Sequence, residues 1–568
     1  MTLVGGLHAH AMVDGLADSE RPLARARMSR LPLAVLVLVA AGFLALGLSE
    51  AWSDSPTFDE PVYVAAGIAA VLHHDVTFND EHPPLPKVLA VLPVLLAHPV
   101  IPGNGQWSGN DEQSYSARFV SAQLSAGTLR RVTFAARLVP LAESIGVAFV
   151  LFGLGSELFG AVGGAFSGVL FLASPFVLGI GHLDSTDIPL ALAVALSSWA
   201  LARWQRLRST RALAWAGLAM AAAAASQVSG LLVVAGGLAV IVGMERRAGL
   251  RRALAHAGLA ALITWIVVWG VYAILDPAVL RQLPILVPRP YLDGIAYLAS
   301  HDTSPAAGYI AGISYTGGRW WFWPLSIVIK WPTTGLLPLI AGAIACRWLA
   351  PAVRRRTVLA VAIPAIVLTG FTITMPRDIG LRYLLPVIAL WAAAAGALVP
   401  AARSLSRRLQ RVTGVALTML LASAALTTAG SFPGSLAWTA WPFRPAYATV
   451  TDSNVDWGQG LYVLRSWSVG RHPWVAYFGP RGLGTAAAPG ARPLLGTAPA
   501  LVSGWVAVSA TALTSADRPA LAWLRAYCPV GVLAGSILIY HFRRPPTTSQ
   551  PAPSRPAGLC PGRWSAAR

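Results

Sequence analysis

Lysine is nearly missing from this chain: only Lys87 and Lys330 occur among 568 residues, and every other basic side chain apart from histidine is arginine. Charge of any kind is scarce, at 12% of residues, against 55% hydrophobic residues and a mean hydropathy of +0.59. A soluble protein of this size needs a far more polar surface, so the composition points to a polytopic membrane protein. The net charge of +19 raises nucleic acid as a partner. The basic residues, however, fall in short clusters between apolar runs rather than on one face, which makes them topology signals and argues against nucleic-acid binding. Cysteine is also scarce: Cys346, Cys528 and Cys560 match no metal spacing and no disulfide framework. A GC-rich genome accounts for the arginine bias as a whole, which leaves the two retained lysines as positions to follow.

Residues 1–30 are polar and end in Arg21, Arg25, Arg27 and Arg30, just before the apolar run Leu31–Trp52. At roughly twenty residues this run is long enough to span, and too long for the core of a signal peptide. It is read as the first membrane helix, with residues 1–30 in the cytoplasm. Further spans fit Thr133–Leu154, Ala161–Ile180, Ile188–Trp204, Ala212–Ala225, Val228–Met244, Ala253–Leu275, Trp323–Cys346, Val358–Thr374, Arg382–Val399 and Val412–Ser431. Arginine clusters at Arg203–Arg211, Arg246–Arg252, Arg347–Arg356 and Arg403–Arg411 are separated by two spans each time, as a shared cytoplasmic location requires. Residues 53–132 then stay on the external side, and Leu85–Ile101, interrupted by Pro86, Pro93 and Pro99, lies along the interface rather than crossing. Residues 276–322 form a second external loop. Within 433–542, Trp474–Phe478 and Trp505–Ser509 read as strands and Gly458–Trp467 as a helix; Val530–Tyr540 competes as a twelfth span but is short and β-like at its end. Residues 543–568, rich in Pro, Ser and Arg, read as a disordered tail. The fold class is an all-α polytopic membrane protein of about 11 transmembrane helices (31–432) with a small C-terminal external α/β domain.

The scarce charge is concentrated between Thr57 and Lys87, which holds Asp59, Glu60, His73, His74, Asp75, Asp80, Glu81, His82 and Lys87. Asp59 and Glu60 open a segment with helical periodicity, where acidic residues serve as caps. The functional alternative is a general base for an acceptor hydroxyl. Glu81 and His82 precede a rigid Pro83-Pro84 turn. They offer two metal ligands, but adjacent residues seldom chelate without further ligands, and no HExxH pattern is present. Asp184 and Asp187 lie in the loop before the span starting at Ile188; capping explains Asp187 well and Asp184 less well. Lys330 sits inside an apolar run, where a cation costs about 2.5–3.5 kcal/mol on insertion scales and needs a counter-charge. Arg377 and Arg382 flank a short external loop, near which a lipid phosphate is the natural anion.

Taken together, Asp59-Glu60, EHPPLPK at 81–87, ARLVP at 136–140 with Arg137, the Asp184 loop, IKWP around Lys330 and RYLLP at 382–386 resemble the GT-C glycosyltransferases. Closest are the polyprenyl- or dolichyl-phosphate-mannose protein mannosyltransferases (glycosyltransferase family 39) and the lipid A aminoarabinose transferases. TDSNVDWGQGL at 451–461 looks like the distal domain of bacterial members. The resemblance implies a polyprenyl-phosphate-linked sugar donor, an acceptor on protein, lipid or glycan, and reaction at the external face of the plasma membrane. Carried over, Asp59 is the base, Glu60 a supporting acid and Asp184 the acid of the second loop. Lys330, Arg382, Arg377 and Lys87 surround the donor phosphate, and Glu81 occupies a position where some relatives bind zinc. No cofactor is certain, and a divalent metal stays open because His82 replaces the basic residue found in those relatives. A lipid-linked substrate transporter or flippase is the competing function.

Overall fold

The computed structural model describes residues 30–103, 112–282, 286–301, 305–481, 483–484, 488–514 and 519–546. Most of the N-terminal segment expected in the cytoplasm and of the tail expected to be disordered lie outside these residues. Among the described residues six helices are long and apolar enough to cross a membrane: Arg30–Ser53, Leu129–Phe159, Leu250–Leu275, Pro351–Ile373, Leu381–Arg403 and Arg407–Ser431. Ala161–Leu172 and Pro175–Gly181 make a seventh, bent by 69°. The bend has a local cause: Ser174 caps the second half by accepting a hydrogen bond from the Val177 N–H, and Pro175 fills the first helical position. The other expected spans are also helical, at Asp187–Leu207, Thr210–Ser226, Gly230–Glu245 and the pair Phe322–Lys330 and Thr333–Ala345. That pair breaks ahead of Pro332, which has no N–H to continue the ladder.

Ion pairs fix which helix ends share a face. Glu245 binds Arg208 at 2.5 Å and Arg252 at 3.0 Å, which joins two arginine clusters, and Arg206 pairs with Glu157 near the end of Leu129–Phe159. The N-terminal end of Leu129–Phe159 therefore points to the opposite face, the one that carries residues 53–128. There the helices Glu60–Leu72 and Leu85–Leu96, of 13 and 12 residues, are each about 20 Å long and too short to cross a core about 30 Å thick. They pack on each other at Gly67, where a Cβ would stand 2.5 Å from the Lys87 carbonyl oxygen. Only glycine allows that approach.

The loop 276–322 contains the helix Arg289–His301 and a two-stranded hairpin, β1 (Ala307–Ile310) with β2 (Ile313–Thr316). Gly294 of the helix lies directly on the Asp80 carbonyl and covers the 79–82 turn. The C-terminal region forms a five-stranded sheet in the order β4-β3-β5-β7-β6 from β3 (Trp474–Ala476), β4 (Arg492–Pro493), β5 (Gly504–Ser509), β6 (Gly531–Leu533) and β7 (Ile537–Phe542). The pairs β3–β4 and β3–β5 are parallel, and β5–β7 and β6–β7 antiparallel. The apolar run Val530–Tyr540 is thus a hairpin and not a twelfth span, its backbone groups being paired between strands. One sequence reading is corrected: Cys528 is disulfide-bonded, although its spacing suggested no framework, while Cys346 carries a free thiol.

Candidate active site

Asp59 and Glu60 are neighbours with opposite environments. Glu60 is buried, and all of its lone-pair directions are used: Oε1 accepts from Arg137 Nε at 2.8 Å and the Asp184 N–H at 2.9 Å, and Oε2 from Arg137 Nη2 and the Thr57 N–H, both at 2.7 Å. Burial works to raise its pKa, but Arg137 and these N–H groups outweigh it and hold the carboxylate below its ordinary value. Arg137 spends its remaining donors on the carbonyls of Ala51, Asp54 and Ser55. The pair therefore clamps the end of the first span, the start of Glu60–Leu72 and the 182–186 loop together. Asp59 keeps 24% of its side chain exposed, and its carboxylate meets Arg382 Nη2 at 3.3 Å. Burial of its surroundings pushes its pKa up to about 6, against the pull of Arg382 and with help from Glu81 and Asp187.

The four cations expected around a phosphate are in different situations. Lys330 is buried and donates to the carbonyls of Leu436, Trp438 and Asn454 at 2.6–2.7 Å, which uses all three of its protons. Lys87 donates to the Asn79 carbonyl, the Asn79 side chain and the His82 carbonyl, again three bonds, and burial lowers its pKa to about 8. Both lysines hold backbone in place. Arg377 is half-buried beside the 376–380 turn. Arg382 differs from the lysines. It makes two long ion pairs, to Asp59 and, at 3.4 Å, to Asp187, and its buried Nε–H has no hydrogen-bond partner among the described residues. Its guanidinium carbon lies 4.1 Å from the Trp457 ring centroid.

Asp184 is 4% exposed and its Oδ2 lacks a hydrogen-bond partner among the described residues. Burial, together with Glu60 and Glu143, pushes its pKa well above the ordinary carboxylate value. Glu81 Oε1 accepts from the Asn79 amide at 3.2 Å, and the same amide donates to Glu112 at 2.6 Å. Burial and the Glu81 charge bring Glu112 to about 7. Burial lowers the pKa of His82 below its ordinary value. Among the described residues no group of three or more His, Cys, Asp or Glu converges as a metal site. Glu81 and His82 thus gain no third ligand of those types and do not fit a resident divalent ion.

Four residues in this arrangement were not assigned to the site from the sequence. Asp187, explained there as a cap, is the second carboxylate on Arg382. Asp452, Asn454 and Trp457 come from the segment resembling the distal domain, whose TDSNVDWGQGL pattern was the available signal. Asn454 Oδ1 accepts from the Leu381 N–H at 3.0 Å, the Trp457 carbonyl from the Phe58 N–H at 2.8 Å, and the Gln459 carbonyl from the Ser55 N–H at 3.0 Å.

Residues 122–272 match the family model described as dolichyl-phosphate-mannose-protein mannosyltransferase. Among curated proteins none matches the chain. ArnT from Cupriavidus metallidurans, solved bound to undecaprenyl phosphate, is 18% identical over 77% of this chain and 69% of that one, with a TM-score of 0.48. The archaeal oligosaccharyltransferase AglB from Archaeoglobus fulgidus, solved with an inhibitory peptide and a dolichol-phosphate, is 12% identical over 92% of this chain and 75% of that one, also with a TM-score of 0.48. The S. cerevisiae protein O-mannosyltransferase Pmt1-Pmt2 complex, bound to the sugar donor, shows 18% identity over 50% of this chain and 39% of that one, with a TM-score of 0.28. The match over residues 122–272, with the order of motifs, makes this chain one that resembles the GT-C membrane glycosyltransferases, which use lipid-phosphate-linked donors.

Proposed function

We propose that this protein moves a sugar from a polyprenyl-phosphate donor to an acceptor hydroxyl on protein, lipid or glycan, at the membrane face opposite the arginine clusters. The observation that carries the reading is the Asp59–Arg382 pair: a partly open carboxylate beside a guanidinium that retains an unused buried Nε–H. Arg382 suits a phosphate oxygen because its donors are planar, permanently charged and incompletely satisfied. In the transfer, the acceptor hydroxyl gives its proton to Asp59 while its oxygen attacks the anomeric carbon. The bond from that carbon to the phosphate oxygen breaks, and the polyprenyl phosphate departs with the electron pair and one further negative charge, which Arg382 stabilises. In-line attack inverts the anomeric centre.

Glu60 acts here as a positioning residue, and it fixes the second loop through the Asp184 N–H. Lys330 and Lys87 shape the site through backbone and do not hold phosphate. A transporter reading draws on Lys330 as an intramembrane charge, but that ammonium is consumed by three carbonyls. The test uses the purified full chain in lipid vesicles with a panel of radiolabelled polyprenyl-phosphate sugars. Release of sugar to an acceptor or to water by the wild type, and not by Asp59→Asn, is the expected result; equal release by the two removes Asp59 as base.

A further inference from the structure

The Asn454 side chain and the Trp457 backbone hold the N–H groups immediately before Arg382 and Asp59. Asn454 Oδ1 holds the Leu381 N–H, and the Trp457 carbonyl holds the Phe58 N–H. The same segment presses on both sides: Ser453 Oγ donates to the Ile379 carbonyl at 3.3 Å, and Ser55 Oγ receives the Leu461 N–H at 2.8 Å. Gly380 lies against Ser453 Oγ so closely that a Cβ there would strike it. Trp457 is 1% exposed and lies beneath the Arg382 guanidinium. The segment is in turn fastened to the short helix Ala510–Thr514 that follows β5 of the C-terminal sheet. The Thr511 N–H donates to Asp456 Oδ2 at 3.1 Å, Thr511 Oγ1 donates to the Asp456 carbonyl at 2.7 Å, and the Asp452 N–H donates to Thr511 Oγ1 at 2.9 Å.

We propose that residues 451–461 are a strut of the transfer site, in which Asn454 and Trp457 set the separation and orientation of Asp59 and Arg382 and thereby couple the sheet domain to catalysis. Neither residue touches the reacting atoms in this account; both are positioning residues. Trp457 adds a face against which the guanidinium is held. The inference rests on the transfer reading above, and its test separates the two.

In vesicles, Trp457→Leu lowers kcat roughly tenfold with donor KM changed less than about twofold, because Arg382 is misplaced for the charge that develops on the leaving phosphate. Trp457→Phe recovers most of the rate, which loss of packing alone does not predict. Asn454→Ala, which spares the backbone carbonyl bound by Lys330, lowers kcat several-fold and serves if Trp457→Leu fails to fold. Hydrogen exchange over residues 379–385 rises in Trp457→Leu and Asn454→Ala relative to wild type. Wild-type kcat together with unchanged exchange in both variants overturns the proposal. If the wild type turns over no donor, the transfer reading fails instead, and the exchange at 379–385 still decides whether the strut exists.

Discussion

At position 59, burial raises the carboxylate toward a pKa of about 6, while Arg382 at 3.3 Å pulls the other way. A base must be deprotonated to act, so kcat/KM is expected to fall about tenfold per pH unit below about pH 6 and to level off above it. Glu81, Glu112, Asp187, Asp452, Arg382, Tyr63 and Tyr383 all face Asp59, and removing a neighbouring negative charge, as in Glu81→Gln, shifts this limb to lower pH. A pH–rate profile of the two proteins checks the sign. Asp59→Asn is expected to cost about 10²–10⁴ in rate with no change in folding. Arg382→Lys keeps the charge but loses the planar fork, so the loss falls on kcat.

Among the elements, the Glu60–Arg137 clamp and the Lys330 tether are the stress points. Glu60→Gln leaves Arg137 buried without its counter-charge and is expected to destabilise by about 3–5 kcal/mol. Lys330→Met strands three buried carbonyls, each worth about 1–3 kcal/mol, and so undermines docking of residues 436–454 on the membrane helices. Thermal unfolding in detergent reads both. If Lys330 held donor phosphate instead, folding would survive and donor KM would rise. The helix pair Glu60–Leu72 and Leu85–Leu96 depends on Gly67 in the same way: Gly67→Val forces Lys87 away and disturbs the 79–82 turn that it anchors.

For the whole molecule, the short helix Glu60–Leu72 carries Asp59 at its start and the membrane helices supply Asp187 and Arg382, while the C-terminal region supplies the segment on which they rest. This explains why a small domain remote in sequence is built against the first loop. On the proposed topology, which puts 53–132 on the external side, a cysteine at Pro102 is expected to react with an impermeant thiol reagent added outside intact cells. Reaction only after permeabilisation reverses the topology.

The apolar runs, the spacing of arginine clusters and the proline interruptions were enough to place the helices and to keep Leu85–Ile101 from crossing, because length and backbone hydrogen bonding limit what can span a membrane. The Thr57–Lys87 concentration of charge likewise marked Asp59. What the sequence left open was how each charge is spent. Lys87, Lys330 and Arg382 look alike as cations in an apolar chain, yet Lys330 gives every proton to backbone carbonyls, Lys87 gives its own to two backbone carbonyls and the Asn79 side chain, and Arg382 keeps one donor unused among the described residues. Glu60 and Asp59 are adjacent letters, yet one is locked by four donors and the other stays partly open. Those differences, and the arrival of Trp457 beneath Arg382, arise from contacts between residues tens to hundreds of positions apart, which no local pattern encodes and only the tertiary packing decides.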